Sequence, residues 1–394
     1  MTGESRSSKA SLESLKGINK SAKLKFNQPE VPTRDGYGDA LLALGAENKN
    51  IFVLCADLSE STRVLRFKER FPERFIEVGV AEQNLVTVGS GLAAMGKIPF
   101  VSSYAIFCPG RCWEQIRTTI GYNNRNVKII GAHAGISVGP DGATHQALED
   151  IALMRCMPNM IVIVPADYQE TIKATKAIAK HDGPSYMRFA RDKTHQFTTK
   201  HSPFSIGKAI VLKEGKDLAI MGCGPVLYDC LAAALALQKK GIDAMVINCH
   251  TVKPLDRQAI ISAAKNCGAV LTVEEAQIIG GLGSAVAELL GEAMPVPLKR
   301  IGVRDHYGES GQPAELLSKF GFSKEHIVSA AEGLIARIGR NVPVIVDKIS
   351  REQRSRIKTL SKGKERNIKR QSAIKIKKHI SPHNKKIQKH LRKR

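Results

Sequence analysis

A chain of 394 residues, 43% hydrophobic and 25% charged, has enough apolar matter for two domains with cores of their own, and its composition sets aside fibrous and disordered classes. No apolar run approaches bilayer-spanning length and the N-terminus lacks the apolar core of a signal peptide, so a cytoplasmic protein with no membrane contact is expected; Glu4 and Glu13 argue against a transit peptide in the Ser- and Lys-rich start. The net charge is +23, but the segment from Asn341 on holds roughly +16 of it, which leaves the rest only mildly basic.

Residues 1–31 are polar and aperiodic and read as a flexible extension. Order is expected from Pro32, with Thr33 able to cap a helix that carries Leu41, Leu42 and Leu44 on one face. The apolar run Ile51-Phe52-Val53-Leu54-Cys55 predicts a buried strand, followed by helices over 62–70, 81–95, 111–123 and 147–156, with strands at 98–101, 127–131 and 161–164. Short continuous apolar strands between amphipathic helices predict a parallel sheet covered on both faces, here a first domain over 32–195. Residues 196–206 lie in an aperiodic stretch containing Pro203 and read as a linker.

A second domain, 207–340, repeats the alternation: strands at 218–221, 243–248, 269–273 and 298–302, and helices at 226–240, 256–266, 282–291 and 324–338. The predicted class is α/β, two open domains with parallel or mixed sheets. The remaining residues, 341–394, are rich in Lys and Arg with few acids and almost no aromatics, so they are expected to stay disordered. The eight cysteines are scattered among apolar neighbours with no metal-ligand spacing, which predicts reduced, core-filling thiols rather than a zinc site.

The chemistry concentrates between residues 73 and 146. Glu82 opens a helix among Gly79, Val80 and Ala81, where a ligand can approach closely; on residue type alone, a glutamate at a helix start is more often a solvated one favoured by the macrodipole. Tyr104 and Phe107, three apart, fit a ring-stacking platform or core packing, and Trp113 fits packing. His133 follows a strand, Gly139-Pro140-Asp141-Gly142 is a turn signal, and His145 precedes a helix. Two histidines bracketing an aspartate in a glycine-rich loop at a strand end point to function, because open α/β sheets bind ligands beyond the carboxyl ends of their strands. Arg34 and Arg191 could, with Ser61, grip a phosphate, although spacing alone does not show that they converge. Gly280-Gly281-Leu282-Gly283-Ser284 and Gly222-Cys223-Gly224-Pro225 read as tight strand-to-helix turns, since neither carries a full dinucleotide fingerprint.

The segments VGVAEQN, SSYAIFCPGRCWEQIR, GAHAGISVGPDGATHQALEDIALMR, PNMIVIVPAD, EEAQIIGGLGSAVAE and RDHYGESGQPAELL resemble the C-terminal half of transketolase, as found in two-subunit forms where it is a separate chain. The resemblance spans residues 33 to about 338. It implies a pyrimidine-binding domain followed by a transketolase C-terminal domain, with thiamine diphosphate bound between two chains. Glu82 matches the glutamate that hydrogen-bonds N1′ of the aminopyrimidine, a role in which desolvation must overcome the helix dipole. Phe107 matches the ring stacked on the aminopyrimidine, with Tyr104 nearby, and Asp57 is counted among the cofactor contacts.

His145 matches the substrate histidine of the THQ motif and Asp141 the aspartate that reads a donor hydroxyl. His133, Arg34, Ser61 and Arg191 match positions that hold the sugar phosphate; deoxyxylulose-phosphate synthases resemble this loop but lack the histidine at 133. The GDG…N motif that holds metal and diphosphate does not occur here. The implied enzyme is therefore one subunit, which with an N-terminal diphosphate-binding partner forms a heterotetramer and moves a two-carbon ketol unit between sugar phosphates in the pentose phosphate pathway. Mg²⁺ (or Ca²⁺) is then held mainly by the partner. Two other readings stay open: the beta subunit of a 2-oxo-acid dehydrogenase or a pyruvate-using synthase, and a non-catalytic protein that contacts nucleic acid through its basic tail. Without interleaved aromatics that contact is expected to be salt-sensitive and non-specific.

Overall fold

The computed structural model describes residue 12 and residues 14–339. The basic tail over 341–394 and the first part of the N-terminal extension lie outside the described residues.

In chain order the strands are β1 (Val31–Pro32), β2 (Ile51–Cys55), β3 (Phe75–Glu77), β4 (Ile98–Tyr104), β5 (Lys128–Ala132), β6 (Ile161–Ile163), β7 (Ser185–Phe189), β8 (Lys193–Thr194), β9 (Ile210–Lys213), β10 (Leu218–Gly222), β11 (Ala244–Asn248), β12 (Thr251–Lys253), β13 (Val270–Gln277) and β14 (Leu298–Val303). The helices are α1 (Thr33–Glu47), α2 (Leu65–Arg70), α3 (Glu82–Ala94), α4 (Trp113–Gln115), α5 (Asp150–Arg155), α6 (Tyr168–Lys180), α7 (Leu227–Lys239), α8 (Arg257–Cys267), α9 (Leu282–Ala293), α10 (Pro313–Lys319) and α11 (Lys324–Gly339).

Two mixed sheets carry the fold, as the α/β pattern predicts. One has seven strands in the order β12-β6-β7-β5-β4-β2-β3, parallel throughout except that β12 runs against β6. The other has five in the order β14-β13-β10-β11-β9, parallel except for β9. Period-2 alternation sends β2 side chains to opposite faces: Val53 and Cys55 pack with Tyr37, Leu41 and Phe67 from α1 and α2, while Leu54 packs with Leu85 and Val86 from α3. Helices therefore cover both faces, the condition under which a parallel sheet is stable.

Several expectations need correction. Thr33 is not the cap of α1; it is the first helical residue, and its buried hydroxyl donates to Ala190 O (3.1 Å). Residues 14–31 are not a free extension. Leu15 and Ala22 are buried, Asn19 N–H donates to Leu212 O, and Ile18 pairs with Lys213, so the segment covers the open edge of β9 that a sheet otherwise leaves unpaired. The stretch read as a linker is also held: Phe197 and Thr198 are buried, and their N–H groups donate to the Asp167 carboxylate at 3.0 and 2.7 Å. The helix expected over 111–123 is α4 followed by a π-helical turn over Ile116–Gly121. There the hydroxyls of Thr118 and Thr119 donate to Glu114 O and Gln115 O, the back-bonding that bends helices. The helix α6 had no counterpart in the sequence reading.

Candidate active site

The carboxyl ends of β2, β4, β5 and β7 lead into residues 57–61, 104–107, 133–146 and 191, so the topology brings these segments to one end of the seven-stranded sheet. Glu82, at the start of α3, is 1% exposed. A carboxylate so buried is tolerable only with partners. Ser103 Oγ on β4 donates to one oxygen at 3.0 Å, and Arg111 Nη1 meets the other at 2.7 Å. The Arg111 side chain is 46% exposed, so the pair opens toward solvent on one side. Arg111 N–H donates to Phe107 O, and the guanidinium lies 4.5 Å from the centre of the Phe107 ring, which ties the acid to the aromatic patch.

Tyr104 and Phe107 are near-parallel, 6.1 Å apart at 16°. His145 stands edge-on to both, at 6.3 and 5.4 Å, with Nδ1 bonded to Thr144 Oγ1 (2.9 Å), and His133 lies 4.3 Å from Tyr104. The four rings form one continuous wall.

Beside the wall sits a cationic cluster. Arg34 Nη1 reaches Ser61 O (3.1 Å) and His133 Nε2 (3.2 Å). Burial, and then the nearby Arg34 charge, push His133 down to about 3, so its imidazole is neutral near neutral pH; burial, and then Arg63, lower Arg34 from its ordinary value. Arg34 Nε and His133 Nδ1 are buried without a hydrogen-bond partner. Buried polar atoms are rarely left so. Arg191 Nη1 donates to Asp141 (3.0 Å) and to Val138 O (3.1 Å). Asp57 stands apart: it is exposed, with φ +57, and its N–H donates to Glu77 (2.7 Å), but no hydrogen bond or ion pair joins it to the other candidates among the described residues.

Residues that the sequence reading did not single out hold the loop. Gln146, 2% exposed, donates through Nε2 to Ile136 O (3.1 Å) and Glu309 O (2.9 Å), and Glu275 accepts from Ser137 N–H (2.6 Å). Gly142 takes φ +75, and a Cβ there would lie 2.5 Å from Ser310 Oγ, so the turn is shaped by contact with the loop after β14. All four lie in segments that carry the resemblance, Ser103 and Arg111 in SSYAIFCPGRCWEQIR, Gln146 in GAHAGISVGPDGATHQALEDIALMR and Glu275 in EEAQIIGGLGSAVAE, but residue type alone does not single them out there. Gly280–Ser284 is a tight turn as expected: its N–H groups at Leu282 and Gly283 are taken by Glu274.

Residues 29–196 match the transketolase pyrimidine binding domain and residues 207–327 the transketolase C-terminal domain. The chain belongs to the transketolase family. It is 43% identical to the 6-deoxy-6-sulfo-D-fructose transketolase subunit SqwH of Clostridium sp. (strain MSTE9), over 77% of this chain and 94% of that one. It is 45% identical to a putative transketolase C-terminal section of Methanocaldococcus jannaschii, over 75% and 93%. A solved split gene transketolase, an inactive beta4 tetramer, superposes with a TM-score of 0.72 at 44% identity, over 78% and 99%. Transketolases generally use thiamine diphosphate and a divalent metal. Among the described residues no group of three or more His, Cys, Asp or Glu is placed to hold a metal ion, and no helix is long and apolar enough to cross a membrane.

Proposed function

We propose that this chain is the pyrimidine-binding subunit of a two-chain, thiamine diphosphate-dependent transketolase. With a diphosphate-binding partner it transfers a two-carbon ketol unit reversibly from a ketose phosphate to an aldose phosphate. The observation that carries the reading is the buried Glu82 carboxylate, joined through Arg111 to the Phe107 ring and through the ring wall to a cationic cluster with two unpartnered polar atoms.

These residues fit the cofactor. Glu82 would meet the aminopyrimidine at N1′ and hold the shared proton there, Phe107 and Tyr104 would lie against its ring, and Asp57 would sit at the cofactor's margin. Thiamine diphosphate, when bound, supplies the carbanion chemistry. His145, held by Thr144 and facing the rings, would hold or pass the proton of a substrate hydroxyl, and Asp141 would read a neighbouring hydroxyl. Arg34, His133, Ser61 and Arg191 would take the anionic end of the sugar, the guanidinium groups by bidentate contact. Because His133 is neutral, it adds a hydrogen bond there rather than a charge.

The diphosphate and Mg²⁺ (or Ca²⁺) fall to the partner chain. A partner chain is supported by a relative named as a subunit and by one named as a split gene product, of which this chain covers 94% and 99%, and the assembly read from it is a heterotetramer of two chain pairs. Eight free cysteines suit the reducing cytoplasm. A guanidinium pair accepts sulfonate as well as phosphate, and one relative is named for a sulfonated sugar, so the donor's anionic group is part of what must be tested.

The test is a coupled assay with xylulose 5-phosphate and ribose 5-phosphate, thiamine diphosphate, Mg²⁺ and the diphosphate-binding chain, with 6-deoxy-6-sulfofructose and pyruvate as alternative donors. Turnover of the phosphate donor only when both chains are present supports the proposal. Turnover of the sulfonated sugar alone redefines the donor, and pyruvate consumption without ketol transfer overturns the reading.

A further inference from the structure

A second cationic site lies on the five-stranded sheet, along the outer strand β14. A cavity of about 430 Å³ opens between β14 and the turn joining α10 to α11. Five basic side chains line it: Lys299 and Arg304 from the β14 side, His306 just beyond, and Lys319 and His326 from the helices. Among the described residues no carboxylate lines it.

Lys319 is neutralised by Glu309, but among the described residues neither Lys299 nor Arg304 forms an ion pair. Arg304 donates only to Arg300 O (3.2 Å), and Lys299 reaches Ala330 O only at 3.5 Å. The two imidazoles are held by Nδ1, His306 at Tyr307 O (3.1 Å) and His326 at Ser323 Oγ (3.0 Å), and among the described residues neither Nε2 makes a hydrogen bond. Phe320 supplies an apolar side 5.2 Å from the His306 ring, and a Cβ at Gly321 would meet nothing within 4 Å, so the mouth is open.

With Lys319 paired, the uncompensated cations are Lys299 and Arg304 on the β14 side, faced by the His326 ring from α11, and cations gathered in one cleft repel one another unless an anion joins them. The volume suits a small metabolite; a nucleic-acid backbone would need a groove that runs on past both walls. We propose that this cleft binds a small, multiply charged phosphate ester, at a site separate from the candidate active site. Its occupant is felt by the loop of Asp141 and His145. An anion at Lys319 competes with Glu309, and the Glu309 carbonyl is one of the acceptors that hold Gln146, at the end of that loop.

The proposal does not depend on the ketol-transfer reading and is tested by binding. Inorganic pyrophosphate is titrated calorimetrically into the full chain at low salt, alongside Arg304→Ala, Lys299→Ala, the active-site variant Arg191→Ala and Lys265→Ala, an exposed lysine on α8. Melting temperatures serve as the folding control. The expected result is a Kd at this cleft raised about tenfold, about 1.4 kcal/mol, by each of the first two changes and unaltered by Lys265→Ala, with Arg191→Ala removing only a separate binding phase that belongs to the candidate active site. Pyrophosphate should also slow hydrogen exchange over residues 136–147 in the parent chain but not in Arg304→Ala. Equal affinities across all variants, no binding at millimolar pyrophosphate, or exchange that stays the same on binding would each overturn it.

Discussion

Glu82, in the first turn of α3, and Glu274, beside the first turn of α9, are both 1% exposed, yet their partners differ in kind. Glu274 accepts the N–H groups of Leu282 (2.6 Å) and Gly283 (2.8 Å), backbone donors that the turn itself leaves orphaned. Both ends of that arrangement belong to the fold, and a Cβ on Gly281 would strike the carboxylate. Glu82 is held instead by two side chains, one of them half exposed, with a ring wall alongside. Backbone partners close a site. Side-chain partners that face solvent leave it able to exchange one contact for another, which is what a ligand-binding acid requires.

The sharpest way to break this comparison is to remove each acid in turn. In the reconstituted two-chain enzyme, Glu82→Ala is expected to lower kcat by about 10²–10⁴-fold, the range for losing a positioned proton-transfer group. Circular dichroism and the melting temperature should stay near those of the parent, because Arg111 can turn to solvent. Undiminished turnover would remove Glu82 from the chemistry. Glu274→Ala should do the reverse, costing about 2–4 kcal/mol of stability by leaving two buried N–H groups unpaired, with kcat per folded molecule little changed. Denaturant titration gives the first quantity and active-site-normalised turnover the second.

A titration sharpens the contrast further. Burial pushes Glu274 up to about 7, against the pull of the Gly283 and Leu282 N–H groups. The folded protein therefore holds a proton that the unfolded chain releases near its ordinary value of 4.5. Between these two values stability falls as pH rises, so its contribution is fully present below the unfolded value and lost through about pH 7. Glu274→Gln, which keeps one carbonyl acceptor and cannot ionise, should flatten that part of the stability–pH curve by about 1–2 kcal/mol relative to the parent. Parallel curves for the two proteins would mean that the carboxylate does not change charge on unfolding.

How much of this was legible in the sequence follows from where each signal resides. Buried strands such as Ile51–Cys55 announce themselves because every residue in them is apolar. The amphipathic α6 is harder to read: Asp167 caps it, by accepting from Glu170 N–H, but a charged residue, Glu170, lies buried on its inner face. Residues 14–31 look polar, and only the few apolar side chains that dock them, Leu15, Ala22 and Phe26, show that they are attached. In the site, the resemblance brought Arg34, His133 and Arg191 to the same ligand, and the geometry places Arg34 against His133. Arg111 was hidden because its meaning depends on Glu82, far away in sequence. Gln146 and Glu275 were hidden because they act through loop carbonyl and amide groups, which leave no pattern in residue types.

The smallest effect separates the two partners of Glu82. Were Arg111 an ordinary surface cation, its pair would contribute about 0–1 kcal/mol and replacement would pass unnoticed. Its partner, however, is a carboxylate almost without access to water, and a buried charge left alone is costly. Arg111→Met is therefore expected to cost about 1–3 kcal/mol, reduced from the fully buried case because the guanidinium itself is half exposed. Arg111→Lys keeps the charge but not the flat face over Phe107, and should cost about 0.5–1 kcal/mol. Adding Glu82→Gln to Arg111→Met should recover most of the loss, since no buried charge then remains to be neutralised. A double-mutant cycle by thermal melting reads this directly, and strict additivity would assign Glu82 to Ser103 alone and leave Arg111 to whatever binds against the ring.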